Sequence, residues 1–169
     1  MNIVLIGYRG TGKSVVGAIL ARRLGMSYIG MDAKIVERAG ISIPEIVEKY
    51  GWPGFRDRES ELSVELAALD NLVIDTGGGV IERGENIEAL KKNALVFWLK
   101  ARVDTIVSRI RNDSQRPPLT SGKSFTGEVA EVLERRTPRY RNSAHYEIET
   151  DDLSPEEIAD RIIGIWRQG

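Results

Sequence analysis

The chain has 169 residues and a formal net charge of −1, and 41% of its residues are hydrophobic. This length predicts one domain with a sizeable core, and the near neutrality argues against a nucleic-acid-binding protein, which normally concentrates basic residues. The lack of cysteine excludes disulfides and thiolate metal sites. No stretch resembles a signal peptide or a membrane span, so we expect a cytoplasmic protein without nucleic-acid or membrane partners.

Short apolar runs alternate with amphipathic stretches along the chain. Strands are predicted at 2–7, 27–32, 72–75, 94–99 and 146–150, where apolar residues run without strict alternation, as in strands covered on both faces. Helices are predicted at 13–24, from a capping box at 42–45, at 105–111, at 128–136, and from a second capping box to 166. Strands and helices that alternate in this way predict an α/β fold with a parallel sheet.

Two stretches interrupt the alternation. GWPGFRDRE at 51–59 is dense in glycine, proline, aromatic residues and arginine, whereas NDSQRPPLTSGKS at 112–124 is polar. The second predicts an exposed, mobile loop between helices. Loops of this length in compact domains are usually functional or disordered.

The stretch GYRGTGKS at 7–14 matches G-x-x-x-x-G-K-[ST] between a predicted strand and a predicted helix. Its glycines let the backbone wrap around an anion, and successive N–H groups point inward at the positive end of the helix. Lys13 is expected to reach the β- and γ-phosphates of a nucleotide, and the Ser14 hydroxyl is expected to bind Mg²⁺. The predicted nucleotide-binding residues of this loop are Gly10, Thr11, Gly12, Lys13, Ser14 and Val15.

A phosphate loop alone leaves GTPases, motors and kinases open. The chain has no N-K-x-D stretch to recognise guanine, and it is short for an elaborated motor. The arginine-containing stretch at 112–124 is typical of a lid that excludes water during phosphoryl transfer to a small acceptor. These observations favour a kinase.

Five motifs in order make the interpretation more specific. The phosphate loop followed by VVG, FRDRE at 55–59, TGGGV at 76–80, RPPL at 116–119 and RRTPRY at 135–140 together resemble the shikimate kinase family, from residue 2 to about residue 163. The resemblance implies a three-layer α/β/α fold of the nucleoside-monophosphate-kinase type, with a five-stranded parallel sheet and a mobile lid. It also implies a monomer that uses ATP and Mg²⁺ to phosphorylate the 3-hydroxyl of shikimate.

The same resemblance divides the chain and assigns its acceptor site. The single kinase domain, 1–169, would have its core at 1–31, 70–111 and 125–169, a substrate-binding segment at about 32–62 and the lid at about 112–124. Arg56 and Arg136 would bind the shikimate carboxylate, for which guanidinium is well shaped. Asp32 would hold the reacting hydroxyl and accept its proton. Backbone amides would approach the ligand at Gly77, Gly78 and Gly79.

Three further roles follow from the resemblance on the nucleotide side. Arg116 on the lid would neutralise charge on the transferring phosphoryl group, as a catalytic and ATP-binding residue. Arg111, or Arg109 if loop lengths shift the alignment, would pack on adenine. Pro155 would form the adenine-side turn before the last helix.

One departure from the family pattern concerns the metal. Family members commonly carry Asp-x-Asp after the second strand. This chain has Gly30 in place of the first aspartate and keeps the second as Asp32. Asp75 instead ends a neighbouring apolar strand, where many phosphate-loop proteins place their magnesium-side acid. We therefore predict that Asp75 holds Mg²⁺ through water beside Ser14. The alternative is that its carboxylate caps the turn into the glycines.

Several alternatives stay open at this point. The acceptor could be another small polyol acid such as gluconate, or a nucleoside monophosphate, and the chain could be a non-catalytic ATP-binding regulator. Asp32 could simply cap a helix that begins at Ala33, and the three glycines could form a tight turn.

Overall fold

The computed structural model describes residues 1–110 and 125–169, which are organised around one parallel sheet. The strands are β1 (Asn2–Ile6), β2 (Ser27–Gly30), β3 (Leu72–Asp75), β4 (Ala94–Lys100) and β5 (Tyr146–Glu149). They are arranged in the order β2-β3-β1-β4-β5, and every neighbouring pair is parallel. The predicted five-stranded parallel sheet is thus confirmed.

Helices connect the strands and cover both faces of the sheet. They are α1 (Lys13–Leu24), α2 (Met31–Ala39), α3 (Ile43–Ala67), α4 (Gly84–Lys91), α5 (Val103–Ile110), α6 (Phe125–Ser143) and α7 (Pro155–Gln168), with a short 3-10 turn at Val80–Glu82. Both predicted capping boxes are formed, at the starts of α3 and α7. The three-layer α/β/α arrangement is confirmed.

The central strand β1 shows why the strands are apolar throughout. Val4 and Ile6 belong to the core that includes residues of α2, α3 and α4, whereas Ile3 and Leu5 belong to the opposite core with α1 and α7. All four side chains are fully buried, because helices cover the sheet on each side.

The structure corrects the predicted end of β2. The strand stops at Gly30, which is the N-cap of α2, so Asp32 lies in the first turn of that helix. The alternative in which Asp32 caps a helix that begins at Ala33 is therefore wrong. An acidic side chain in a first turn is still favoured by the helix dipole.

The structure also corrects the stretch at 51–59, which is helical. Gly51 has φ 73° and ψ 174° and kinks α3, and the helix then continues to Ala67. Helix α6 is longer than predicted, and α4 is absent from the predicted elements.

Some sequence predictions concern residues 111–124. The predicted lid, Arg111 and Arg116 lie outside the described residues. Within the described ranges, no helix is both long enough and apolar enough to cross a membrane.

One edge of the sheet collects the motifs. The carboxyl ends of parallel strands meet at one edge, where α/β proteins bind ligands. Here β1 leads into the phosphate loop, β2 into the start of α2, and β3 into the three glycines. Gly30 and Asp75 stand opposite each other in the β2–β3 register.

Candidate active site

The phosphate loop at 7–14 runs from β1 into α1. Gly10 and Gly12 have φ values of 83° and 96°, which residues with a side chain rarely adopt. Helix α5 packs closely on the loop, because a Cβ on Gly10 would lie 2.5 Å from Ile110 Cγ2. The loop therefore presents its backbone at the positive end of α1, as an anion site requires.

Lys13 is held by carbonyl groups of the loop. Its Nζ donates to Gly7 O at 2.7 Å and to Tyr8 O at 3.0 Å, and the side chain is buried. The buried hydroxyl of Thr11 donates to Tyr8 O at 2.9 Å. These bonds hold the ammonium group of Lys13 among the backbone carbonyls of the phosphate loop.

A cleft of about 420 Å³ opens between the phosphate loop and the ends of β2 and β3. The predicted residues that line it are Gly10, Gly12, Lys13, Ser14, Val15, Asp32, Asp75, Gly77 and Gly78. The fold thus brings predicted phosphate and metal residues, and part of the predicted acceptor set, to one concave surface, the usual form of a small-molecule site. The predicted acceptor residues Arg56, Gly79 and Arg136 are not among the residues that line it.

Asp75 accepts two hydrogen bonds at the floor of this cleft. Ser14 Oγ donates to Asp75 Oδ2 at 2.8 Å, and Tyr28 Oη donates to the same oxygen at 2.7 Å. Burial, reinforced by the charge of Asp75, raises the pKa of the Tyr28 phenol, so this group stays a protonated donor. Neither the bond to Ser14 nor the presence of Tyr28 is predicted from the sequence.

The donor set suits Mg²⁺. This ion prefers oxygen ligands, and it usually takes one or two protein side chains together with waters and substrate phosphates. Ser14 and Asp75 supply a hydroxyl and a carboxylate side by side, next to the loop that would hold the phosphates.

Arg56 is positioned by residues of its own helix. Its Nη1 donates to Glu59 Oε1 at 2.7 Å, and its guanidinium carbon lies 5.1 Å from the centre of a Trp52 ring. A Cβ on Gly79 would lie only 2.3 Å from Arg56 Nη1, so the glycine makes room for the guanidinium group. Glu59 is buried. Its contact with Arg56 could be predicted from FRDRE, because residues at i and i+3 of a helix lie side by side.

Arg136 approaches the neighbouring glycine from α6. The residue is 2% exposed, and a Cβ on Gly78 would lie 3.5 Å from Arg136 Nη1. Its Nε lies 3.5 Å from Glu82 Oε1, and its guanidinium carbon lies 5.7 Å from the Tyr8 ring centre. Within the described part of the chain, Nε and Nη2 have no hydrogen-bond partner. Buried donors of this kind suit an anionic ligand.

Tyr140 anchors the glycine turn. Its hydroxyl donates to Gly78 O, and its ring stacks on Trp98 with 5.6 Å between ring centres. The side chain is fully buried, and this burial raises the pKa of the phenol to about 12. The hydrogen bond spans 62 positions of the chain, so no local sequence pattern predicts it.

The structure describes Arg109 and Pro155 of the residues considered for contact with adenine, but not Arg111. Arg109 Nη1 donates to Gly10 O at 3.1 Å, which ties the end of α5 to the phosphate loop. Pro155 is the first residue of α7, and it is not among the residues that line the cleft. Arg111 lies outside the described residues.

A phosphate loop that follows the first strand of a parallel sheet and opens its first helix places this protein among the P-loop nucleotide-binding proteins. The chain belongs to the shikimate kinase family, whose model, described as "Shikimate kinase", matches residues 9–166. Membership confirms the resemblance seen in the five motifs and makes the protein an ATP-dependent kinase.

Individual relatives support the same assignment over nearly the whole chain. A shikimate kinase from Thermodesulfovibrio yellowstonii is 40% identical over 162 residues, which cover 96% of this chain and 92% of that protein. One from Caldicellulosiruptor bescii is 36% identical over 164 residues, with 97% and 94% covered. A solved shikimate kinase from Acinetobacter baumannii, in complex with shikimate, is 36% identical with a TM-score of 0.94, covering 99% of this chain and 93% of that chain.

Proposed function

We propose that this protein transfers the γ-phosphoryl group of ATP to the 3-hydroxyl of shikimate, giving shikimate 3-phosphate and ADP. The observation that carries the choice of acceptor is the approach of two buried guanidinium groups, those of Arg56 and Arg136, to adjacent glycines. Two fixed cations at this short range suit the carboxylate of a compact acceptor. A nucleoside monophosphate would instead require room for a base.

The described residues support a simple sequence of events. ATP would bind with its phosphates in the loop at 7–14, where Lys13 contacts the β- and γ-phosphates. The 3-hydroxyl oxygen of shikimate attacks the γ-phosphorus, and the bond from that phosphorus to the bridging oxygen of ADP breaks. The hydroxyl proton passes to the Asp32 carboxylate and then to solvent. Positioning and charge neutralisation contribute most of the rate in reactions of this type.

Mg²⁺ is proposed as the cofactor, held by Ser14 directly and by Asp75 through water. When bound, the ion would neutralise charge on the nucleotide phosphates. The 2.8 Å bond from Ser14 Oγ to Asp75 Oδ2 supports this assignment, because the hydroxyl proton points to the carboxylate and its lone pairs remain for the metal. Asp75 would thereby replace the acid that is absent at Gly30.

The metal assignment has its own test. Asp75→Asn should weaken Mg²⁺ binding to the protein–ADP complex, measured by calorimetry, and should raise the Mg²⁺ concentration needed for half-maximal turnover. Unchanged values in both measurements would leave Asp75 with only a capping role in the turn.

Other parts of the proposal rest on the sequence. Arg116 would neutralise charge on the transferred group and contact ATP, and Arg111 and Pro155 would contact the adenine. The protein is further proposed to act as a monomer in the cytoplasm.

The acceptor is tested by coupled ADP release with shikimate, gluconate and nucleoside monophosphates in parallel. We expect shikimate alone to stimulate release strongly, and Asp32→Asn to remove most of this stimulation while ATP still binds. Stimulation by a nucleoside monophosphate but not by shikimate would overturn the proposal. ATP binding without stimulation by any acceptor would favour a regulator.

A further inference from the structure

Tyr28 contacts the cleft acid Asp75, and the proposed function assigns Tyr28 no role. It is a residue of β2 and lines the cleft, and the residue is 38% exposed. Its hydroxyl donates to Asp75 Oδ2 at 2.7 Å across 47 positions of the chain. The side chain thus crosses from one strand to the acid at the end of the next.

Two glycines make room for this side chain. A Cβ on Gly17 in α1 would lie 2.8 Å from Tyr28 Cε2, which is closer than real Cβ contacts allow. A Cβ on Gly30 would lie 3.2 Å from Tyr28 Oη. Any larger side chain at either position would press on the ring or the hydroxyl, so the path of Tyr28 depends on both glycines.

Gly30 lies beside both Asp75 and the Tyr28 hydroxyl. Gly30 faces Asp75 in the register of β2 and β3, and the tyrosine hydroxyl lies next to the point where a side chain of residue 30 would begin. An acidic side chain is therefore supplied from β3, and a hydroxyl from β2 holds it.

We propose that Tyr28 is a positioning residue for the metal site, which holds the Asp75 carboxylate in the orientation that binds metal-bound water. This inference rests on the proposed role of Asp75 in the site above. Both Tyr28 and Ser14 donate to Oδ2, so Oδ1 receives neither of these bonds. A carboxylate fixed through one oxygen presents the other in a single direction, which reduces the ordering cost when a hydrated ion binds.

The test measures metal binding without turnover. Mn²⁺ is titrated into the protein–ADP complex and followed by electron paramagnetic resonance, with Tyr28→Phe compared with the unchanged protein. We expect the Mn²⁺ affinity to fall about three- to tenfold, the range for one net hydrogen bond. ADP affinity without metal should stay unchanged, which also shows that the variant is folded.

Two further variants make the result specific. In an Asp75→Asn background, Tyr28→Phe should cause no additional loss, because Tyr28 acts through Asp75. Tyr146→Phe is the matched control, since Tyr146 is similarly exposed and its ring stacks on Phe97 in β4. It should leave Mn²⁺ binding unchanged.

The outcomes separate this inference from the choice of acceptor. Unchanged or tighter Mn²⁺ binding by Tyr28→Phe, or an equal loss with and without Asp75, overturns the role of Tyr28. If the metal measurements behave as expected while shikimate is not phosphorylated, the acceptor is wrong and the role of Tyr28 stands.

Discussion

Replacing Arg136 by lysine tests how the acceptor carboxylate is bound. Arg136→Lys keeps a positive charge at a position that is 2% exposed, so the change does not leave Glu82 without a cation nearby. It removes the planar fork, which lysine cannot reproduce. The perturbation therefore separates the shape of the cation from its charge.

The expected size follows from the contacts of Arg136. Its Nε lies 3.5 Å from Glu82 Oε1, whereas its Nη2 has no hydrogen-bond partner among the described residues, so Nη2 is available to a ligand carboxylate. Losing one such charge-assisted bond costs about 1.5–3 kcal/mol, which corresponds to about a ten- to hundredfold loss in affinity. We expect this loss in the KM for shikimate, with a smaller effect on kcat and none on the KM for ATP.

The assay is coupled ADP release with both substrates varied, and calorimetric shikimate binding as a second readout. Arg135→Lys is the matched control. Arg135 precedes Arg136 on the same helix and lies 3.4 Å from the same Glu82, but it is 54% exposed. An unchanged shikimate KM in Arg136→Lys, or an equal rise in Arg135→Lys, would refute the assignment of Arg136 to the carboxylate.

Three further predictions concern the surroundings of the site. Gly79→Ala should displace the Arg56 guanidinium and raise the shikimate KM at least several-fold, whereas Gly84→Ala, with open space around its Cβ, should not. Tyr140→Phe leaves the buried Gly78 carbonyl without its donor and should lower the unfolding free energy by about 1–3 kcal/mol in denaturant titrations; no change would contradict this. His145 Nδ1 accepts a hydrogen bond from Val96 N, and burial lowers the His145 pKa from its usual 6.5. The stabilisation that this bond gives the folded protein is therefore complete above that value and is lost as the pH falls towards the folded-state pKa. The melting temperature of His145→Asn, which keeps an acceptor, should fall less below about pH 6.5 than that of the unchanged protein. An equal fall in both proteins would contradict the reasoning.

Contiguous features of the site are predictable from the sequence because their physics is local. The phosphate loop needs glycines, a lysine and a hydroxyl within eight positions, 7–14, between a strand and a helix, and this pattern has few other uses. The alternation of apolar runs and amphipathic stretches likewise predicts the parallel sheet, since strands covered on both faces must be apolar throughout.

The helix over 51–59 shows where local rules mislead. Gly51 and Pro53 stand close together, which is typical of a turn. In the structure, Gly51 takes a left-handed conformation at a kink, and the helical segment resumes after it. Pro53 is then in the first turn of that segment, where its missing N–H removes no helical hydrogen bond. The same residues are thus compatible with a helix once a kink precedes them.

Contacts between distant segments are beyond sequence patterns. Tyr28 reaches Asp75 across 47 positions, and Tyr140 reaches Gly78 across 62. Both are aromatic residues in ordinary strand or helix positions, and only the fold shows that their hydroxyls meet Asp75 and the glycine turn. The prediction for Asp75 was possible because its position at a strand end is visible locally, whereas the residue that holds it is not.

The central claim is the identity of the phosphorylated product, and ³¹P NMR of a reaction containing the protein, ATP, Mg²⁺ and shikimate tests it directly. We predict one new phosphomonoester signal, coupled to the proton on carbon 3 of shikimate, that grows in step with ADP. Accumulation of ADP with only inorganic phosphate, or a phosphomonoester on another hydroxyl, would contradict the account.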